Sequence, residues 1–200
     1  MKWLTIAAVV SLAGAAQATT VVALPERELV ARASVIAFGT VLRTETVVNA
    51  RGQVFTQAEL QVHQGFRGVR ANEFLLVQVP GGPLPNGLEA RTVGAPRLAA
   101  GQLVFGFFEQ RDGTVRPLGL AFGLLRVRTN TAGELRVFRE ADELAFVNER
   151  GEGLDAAPFV LADVPLVELG KRINTHLAAL GLPVAEISVG LPKSVGVVRP

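Results

Sequence analysis

The stretch that decides the fold is "VFTQAELQVH", residues 54–63, in which apolar and polar side chains alternate. One face carries Val54, Thr56, Ala58, Leu60 and Val62, and the other carries Gln57, Glu59, Gln61 and His63. A period of two with one apolar face is typical of a half-buried β-strand. The turn-like "NARGQ" (49–53) joins it to the β-branched run 35–48, so we predict an antiparallel hairpin.

Further strands follow along the chain. The apolar runs "EFLLVQV" (73–79), "GQLVFGFFEQ" (101–110), "TVRPLGLAFGLLRVRT" (114–129, broken near Pro117 and Gly119) and "ELRVFRE" (134–140) predict four or five more strands. Asp112-Gly113 and "NTAG" (130–133) predict turns, and "GFRGVRAN" (65–72) predicts a loop. Short strands with turns about every ten residues indicate a mainly β fold, an antiparallel β-barrel or a sandwich.

Two helices complete the prediction. "PERELVARAS" (25–34) has Pro25 at its start, acids in its first turn, and Leu29 and Val30 facing inward. A C-terminal amphipathic helix over about 164–180 has Asp163 as its cap and Gly181 after its end. Its apolar stripe consists of Leu166, Leu169, Ile173, Leu177 and Leu180.

The N-terminal segment predicts export. Lys2 precedes a short apolar run, and a small-x-small site ends at Ala18, which is the pattern of a signal peptide cleaved between Ala18 and Thr19. The run is shorter than the roughly 20 apolar residues of a membrane span. We therefore expect a signal peptide over 1–18, a β-barrel domain over 19–150, and a linker, helix and tail over 151–200. The expected location is the bacterial periplasm or the exterior.

Composition excludes several classes of protein. Cysteine is absent, so an exported chain of this kind depends on hydrophobic burial rather than disulfides. Without Lys2 the chain has 19 basic and 18 acidic residues, and its arginines are scattered from Arg27 to Arg199. A nucleic-acid-binding surface would require clustering, so we expect no nucleic-acid partner.

The candidates for chemistry are few. His63 and His176 lie apart without metal-ligand spacing, and both are predicted to be solvated; Glu168 and Arg172 are spaced for a surface ion pair. Ser34, Ser188 and Ser194 lie outside any Gly-x-Ser-x-Gly turn, although a serine remote from a histidine in sequence can still form a triad. The acids Glu140, Asp142 and Glu143 follow a strand, where a solvated turn is the usual arrangement. We predict no catalytic, metal or cofactor residue.

The glycine-rich "VQVPGGPLPNG" (77–87) raises the question of a phosphate-binding loop. A Walker loop requires a lysine, and none occurs between Lys2 and Lys171. Pro83 and Pro85 prevent the regular helix that a dinucleotide loop opens. We interpret Pro80-Gly81-Gly82 as the end of a central strand, with glycines that permit a tight bend.

Several of these motifs carry a resemblance. Pro80-Gly81-Gly82 after a strand, Gly94-Ala95-Pro96 before one, Gly119-Leu120 with Gly123, and Gly39 with Val41 resemble a family of exported bacterial proteins without assigned activity. The resemblance covers about residues 29–139 and the C-terminal helix, and it implies a β-barrel like the OB-like domains of metalloproteinase inhibitors. Those inhibitors chelate zinc through an N-terminal cysteine, which this chain lacks.

The sequence therefore predicts an exported, non-enzymatic binding module of unknown ligand, whose partner is another exported protein. The alternatives are an inhibitor or accessory protein of a secreted metalloprotease, and a hydrolase that uses the acids Glu140 or Asp142. The oligomeric state stays open, and we expect no membrane span after the signal peptide.

Overall fold

A computed structural model describes residues 19–139, 144–148, 150–154 and 163–188. Residues 1–18, which include Ala18, and the acids Glu140, Asp142 and Glu143 lie outside this part, as does Ser194. The described chain is mainly β, with a large mixed sheet, a short N-terminal helix and a C-terminal amphipathic helix. The predicted fold class is confirmed at this level.

The elements have the following bounds. The strands are β1 (Thr19–Val22), β2 (Val35–Val48), β3 (Val54–Arg67), β4 (Phe74–Pro80), β5 (Gly82–Pro83), β6 (Glu89–Ala90), β7 (Leu103–Arg111), β8 (Thr114–Pro117), β9 (Leu124–Thr129), β10 (Leu135–Phe138), β11 (Leu144–Val147) and β12 (Val164–Pro165). The helices are α1 (Glu26–Arg32) and α2 (Leu166–Ala179), and a 3₁₀-helix spans Leu120–Gly123.

Eight strands form one sheet in the order β12-β10-β9-β7-β2-β3-β4-β8. Strand β7 also pairs with β8, so β2, β3, β4, β8 and β7 form a cycle in which each strand pairs with two others. The pairings in this cycle are antiparallel except that between β4 and β8. The pairs β1–β11 and β5–β6 form two small separate sheets.

The predicted β2–β3 hairpin is confirmed. Its register runs from Val48 opposite Val54 to Ile36 opposite Arg67, and the alternating positions 56, 58, 60 and 62 are buried. Strand β3 continues past His63, so the prediction of a loop from Gly65 was wrong for its first three residues. Phe66 explains the extension, because its side chain is buried in the core that includes α2.

Two apolar cores lie on opposite faces of the sheet. One consists of side chains from β2, β3, β4 and β7 together with Leu124 of β9, namely Val35, Ala37, Val41, Ala58, Leu60, Val62, Val77, Val79, Val104 and Phe108, and the partly buried Val115 of β8 packs against it. The other joins the opposite face of β2, β7, β9 and β10 to both helices through Phe38, Phe105, Phe107, Phe122, Leu29 and Ile173 among others. Buried apolar area contributes roughly 25 cal/mol per Å², and these two cores hold the cysteine-free fold together.

Asparagine organises three turns of the described chain in the same way. The side-chain oxygens of Asn49, Asn130 and Asn148 each accept hydrogen bonds from the backbone N–H groups two and four residues later. Each turn has a glycine with positive φ at its fourth position, where a Cβ would be unfavourable. The first two turns are the predicted ones, and the third was not predicted.

Helix α2 differs from its prediction at its start. Asp163 does not cap it; the helix begins at Leu166 after Pro165, and Asp163 accepts a hydrogen bond from Arg136 of β10 at 3.1 Å. The short strand β12, which pairs with β10, lies between Asp163 and the first residue of the helix, so Asp163 is too far from the helix to cap it. The end at Gly181, with φ 68°, is confirmed. The predicted stripe is buried at Leu166, Leu169, Ile173 and Leu177, but its last residue, Leu180, is exposed.

The segment 182–188, which follows α2, packs against the core. Leu182, Ala185 and Ile187 contact the core beneath the helices. Asn174 exchanges two hydrogen bonds with Ala185, and the buried Gln64 donates to the carbonyl of Glu186 at 2.7 Å. This part of the predicted tail therefore covers the sheet.

Candidate functional site

The loop Pro80–Gly82 closes the end of β4. Pro80 is the last residue of the strand and lies opposite Phe55 of β3. The N–H of Gly81 donates to the carbonyl of Val54 at 2.9 Å, and the buried Thr56 hydroxyl donates to the Gly81 carbonyl at 2.8 Å. These bonds fix the direction in which the chain leaves the sheet.

Both glycines of this loop are required by their surroundings. Gly81 has φ 91° and Gly82 has φ 145°, values that side chains disfavour. A Cβ on Gly81 would lie 2.5 Å from the carbonyl oxygen of Ala90, and one on Gly82 would lie 2.5 Å from the Thr56 hydroxyl. The interpretation as a strand end with an unusual bend is confirmed.

This loop forms one wall of a cleft of about 1090 Å³. The cleft lies between the segment 80–99 and strands β9 and β10, and we call it the arginine cleft. Its lining includes Arg91, Arg97, Arg126, Arg128 and Arg139, with Glu89 as the one acid among the described lining residues. Arg91, Arg97 and Arg128 are exposed, Arg126 is half-buried and Arg139 is buried.

Arg126 holds the outer wall of the cleft in place. Its guanidinium donates to the carbonyl of Arg97 at 2.5 Å and to the side-chain oxygen of Gln102. The same oxygen of Gln102 accepts the N–H of Ala99 at 2.9 Å. Arg126 thus connects β9 to the segment before β7. Arg97 in turn forms an exposed ion pair with Glu89 at 3.2 Å.

Arg128 is the most exposed cation of the β9 face. Its Cζ lies 4.3 Å from the ring centroid of Phe138 on the neighbouring strand, a cation–π contact. Directly opposite Arg128 on β10 is Arg136, and like charges in such a position are unfavourable. The Arg136 guanidinium donates hydrogen bonds to the carboxylates of Glu134 and Asp163, and these bonds, that with Glu134 first, raise the pKa of Arg136.

Arg139 forms the floor of the cleft. Its Nε donates to the Phe122 carbonyl at 3.0 Å, and its Cζ lies 4.1 Å from the Phe122 ring centroid. Burial lowers the pKa of Arg139 to about 10, although the negative charge of Glu26 offsets part of this effect. The side chain is therefore still a cation at pH 7.

A second cleft of about 770 Å³ lies on the other side of the same loop. It shares Val79, Pro80 and Pro96 with the arginine cleft. Arg116 lines it, with its Cζ 5.9 Å from the Phe55 ring centroid and an N–H donated to Gln78 at 3.3 Å. Each cleft therefore presents a guanidinium over a phenylalanine ring.

The histidines are less exposed than predicted. His63 is half-buried, 2.6 Å from the Thr40 hydroxyl and with its ring centroid 5.5 Å from that of Phe38, and burial lowers its pKa. His176 lies 3.2 Å from a carboxylate oxygen of Glu26. Arg172 pairs with the same carboxylate at 2.8 Å instead of the predicted Glu168, because α1 lies against that face of α2.

The serines of the described chain have structural partners. The Ser34 hydroxyl donates to the Phe108 carbonyl at 3.3 Å and accepts from the Gln110 N–H at 2.7 Å. The N–H of Ser188 donates to Gln64. Neither described serine is a hydrogen-bond partner of His63 or His176, so the described residues assemble no serine–histidine pair.

Two further observations concern metal binding and membrane-spanning helices. Among the described residues, no three histidine or acidic side chains lie together in a way that could hold a metal ion. Within the same ranges, no helix combines the length and apolar character needed to cross a membrane.

The sequence did not indicate the arginine cleft. Its arginines come from a loop, from β9 and from the end of β10, and only alternate positions of β9 share a face. A signal was present in "RVRT" (126–129), where two arginines alternate with an apolar residue. Alternation of this kind predicts a charged strand face, but not what lies opposite it.

Comparison with protein-family models, curated proteins and solved structures found no match to this chain.

Proposed function

We propose that this chain is an exported, non-enzymatic binding protein whose arginine cleft holds an anionic ligand. The observation that carries the proposal is the convergence of five arginines from separate segments on one cleft. Guanidinium groups bind carboxylates and phosphates through paired, charge-assisted hydrogen bonds. The described residues around the cleft contain neither a histidine nor a serine, so binding is favoured over catalysis.

We also infer that the five-strand cycle is an OB-like barrel, as the resemblance implies. What supports this is the pairing of β2, β3, β4, β8 and β7 around a common apolar core, with a single parallel pair between β4 and β8. Barrels of this type commonly serve as binding modules, with function in their loops. The arginine cleft lies beside such a loop.

Citrate, a small tricarboxylate, is the first probe of the cleft. We expect it to raise the melting temperature of the purified protein at low salt and to bind more weakly as sodium chloride is raised, because exposed charges are screened. Arg128→Gln is expected to weaken citrate binding by roughly fivefold to tenfold, since one hydrogen bond at an exposed site contributes a net of about 1–1.5 kcal/mol. Isothermal titration calorimetry measures both affinities.

The matched control is Arg70→Gln, which removes an exposed arginine from the β3–β4 loop, outside the cleft lining. It changes the net charge by the same amount and is expected to leave citrate affinity within twofold. Equal losses for Arg70→Gln and Arg128→Gln would show that citrate responds only to net charge, and the proposal would then be wrong.

Export is proposed on the N-terminal pattern alone. We expect that protein secreted by a bacterial host begins at Thr19, because a signal peptidase cuts after a small-x-small site such as Ala16-Gln17-Ala18. N-terminal sequencing of periplasmic or extracellular material measures this. Retention of the full chain in the cytoplasm would contradict it, and Ala18→Phe serves as a variant whose cleavage is expected to fail.

A further inference from the structure

We propose that the second cleft binds a free amino acid with an apolar side chain, in its zwitterionic form. The carboxylate of the amino acid binds Arg116, its ammonium group binds Glu109, and its side chain packs on the apolar wall of the cleft. This inference goes beyond the proposed function, because it concerns the other side of the loop and none of the arginines of the arginine cleft. It is carried by two opposite charges that share the second cleft without pairing.

Glu109 and Arg116 are that pair of charges. They lie directly opposite each other, the first in β7 and the second in β8, and both line the second cleft. Side chains at such positions share a face, have Cβ atoms roughly 4.5–5.5 Å apart, and attract each other when their charges are opposite. Within the described part of the chain, however, no ion pair joins Glu109 to Arg116, and neither has another ionic partner. A ligand that carries an anion and a cation close together satisfies both residues.

The guanidinium of Arg116 has donors to spare. It donates one long hydrogen bond, to Gln78 at 3.3 Å, and its Cζ lies 5.9 Å from the ring centroid of Phe55. Its Nε is buried and has no hydrogen-bond partner among the described residues, which is an unfavourable state for a donor. A guanidinium has five N–H groups, and a carboxylate can accept two of them at once. Rotation of the side chain towards a bound carboxylate would supply the missing partner of Nε.

The charges of the cleft favour a ligand with a single carboxylate. Besides Arg116, the described lining residues include Arg51, exposed in the turn between β2 and β3, and the half-buried Glu109 as the one acid. A ligand with several anionic groups, such as a nucleotide, would be repelled by Glu109. An ammonium group next to the carboxylate turns this repulsion into an attraction.

The remaining walls of the cleft suit an apolar side chain. Pro80, Pro96, Pro117 and Leu120 line it together with the half-buried Phe55. Most small-molecule sites combine such apolar walls with a few polar groups, and the volume of about 770 Å³ lies within their usual range. Apolar area that the ligand buries here adds to its affinity.

Leu120 reaches this wall in an unusual backbone conformation. Its φ is 59°, and that of the preceding Gly119 is 68°. A positive φ is uncommon for a residue with a side chain, and backbone strain of this kind is often found at ligand sites. Because Gly119 and Leu120 both line the second cleft but not the arginine cleft, their amide signals report on the second cleft alone.

Three probes with the same aromatic ring test the proposal. They are L-phenylalanine, 3-phenylpropionate, which lacks the ammonium group, and phenethylamine, which lacks the carboxylate. Titration of the purified protein at low salt is followed by NMR through the amide signals of Gly119 and Leu120. We expect phenylalanine to bind about tenfold more tightly than either of the other two, because each loses one charged contact. Glycine, which has no side chain, is expected to bind at least about tenfold more weakly than phenylalanine.

Two variants connect each charge of the ligand to its partner. Glu109→Gln is expected to reduce the preference for phenylalanine over 3-phenylpropionate to below about threefold, and Arg116→Gln the preference over phenethylamine. Arg70→Gln, outside both clefts, should retain both preferences. A residue with only a structural role would change the affinity for all probes alike. The three probes on the unaltered protein decide the question even if a variant does not fold.

Several results would overturn the proposal. Equal affinity for the three aromatic probes would show that the two charges of the cleft do not act on the ligand. Absence of phenylalanine binding at up to about 20 mM would exclude the site, and so would shifts confined to amides that line only the arginine cleft, such as those of Gly94 and Ala95. Citrate binding reports on the arginine cleft, so failure of one proposal is distinguishable from failure of the other.

Discussion

Replacing Gly106 with alanine is expected to destabilise the protein by about 3 kcal/mol, at the upper end of typical overpacking costs. Gly106 lies in β7 between Ala37 of β2 and Leu124 of β9, and it is buried. A Cβ at this position would lie 2.0 Å from Cζ of Phe108 and 2.3 Å from its Cε2. The ring cannot swing aside, because Phe108 is fully buried. Urea denaturation followed by circular dichroism measures the loss.

The double variant Gly106→Ala/Phe108→Leu separates this clash from other effects. A shorter side chain at 108 makes room for the new methyl group, so the double variant is expected to lose at least 1 kcal/mol less than the two single losses combined. Gly153→Ala is the control, because a Cβ there meets no atom within 4 Å; its change should stay within about 0.5 kcal/mol. Full additivity in the double variant would contradict the proposed clash.

Truncating Phe122 to alanine is expected to cost about 3–5 kcal/mol, the range for a buried aromatic residue. Phe122 is fully buried, its ring centroid lies 5.8 Å from that of Phe146, and Arg139 lies over its face. Removal of the ring leaves a cavity and also removes the cation–π contact between the ring and the buried guanidinium of Arg139. Since domains of this kind are stable by only about 5–15 kcal/mol, much of the stability would be lost.

Phe122→Leu is the matched control, because it retains most of the apolar volume and should cost less than about 1.5 kcal/mol. Thermal and urea unfolding of both variants give the comparison. The citrate affinity of the leucine variant adds a second measurement, since Arg139 lines the cleft. Equal destabilisation by alanine and leucine would show that the ring volume does not matter at this position.

Much of the fold could be predicted because its determinants are local. The bounds of β2 are those predicted, since a β-branched run ends at an asparagine whose side chain fixes the next turn. The alternation in β3 identified its buried face, because side chains in a strand point to opposite sides in turn. Pro80 marked the end of β4, because proline lacks the N–H that would continue the pairing.

The predictions that failed depend on distant residues. Asp163 fits a helix cap by its residue type, but Arg136 from β10 binds it and the chain there forms β12 instead. His63 alternates with buried positions and was therefore predicted to be solvated, yet Phe38 and Thr40 from β2 half-cover it. A local sequence pattern contains no information about a contact partner that lies on a distant strand.

The sequence by itself determined β2, β4, β7, the alternating part of β3, the turns at Asn49 and Asn130 and the two helices, because periodicity, glycine, proline and asparagine act within a few residues of their position. Only the tertiary structure decided the closing pairs of β7 with β2 and of β4 with β8, and with them the arginine cleft. Arg97 meets Arg126 because β7 and β9 pair and bring the segment before β7 over the β9 face. The cleft exists because pairing between distant strands sets which charges become neighbours, whereas local sequence sets only the face on which each charge lies.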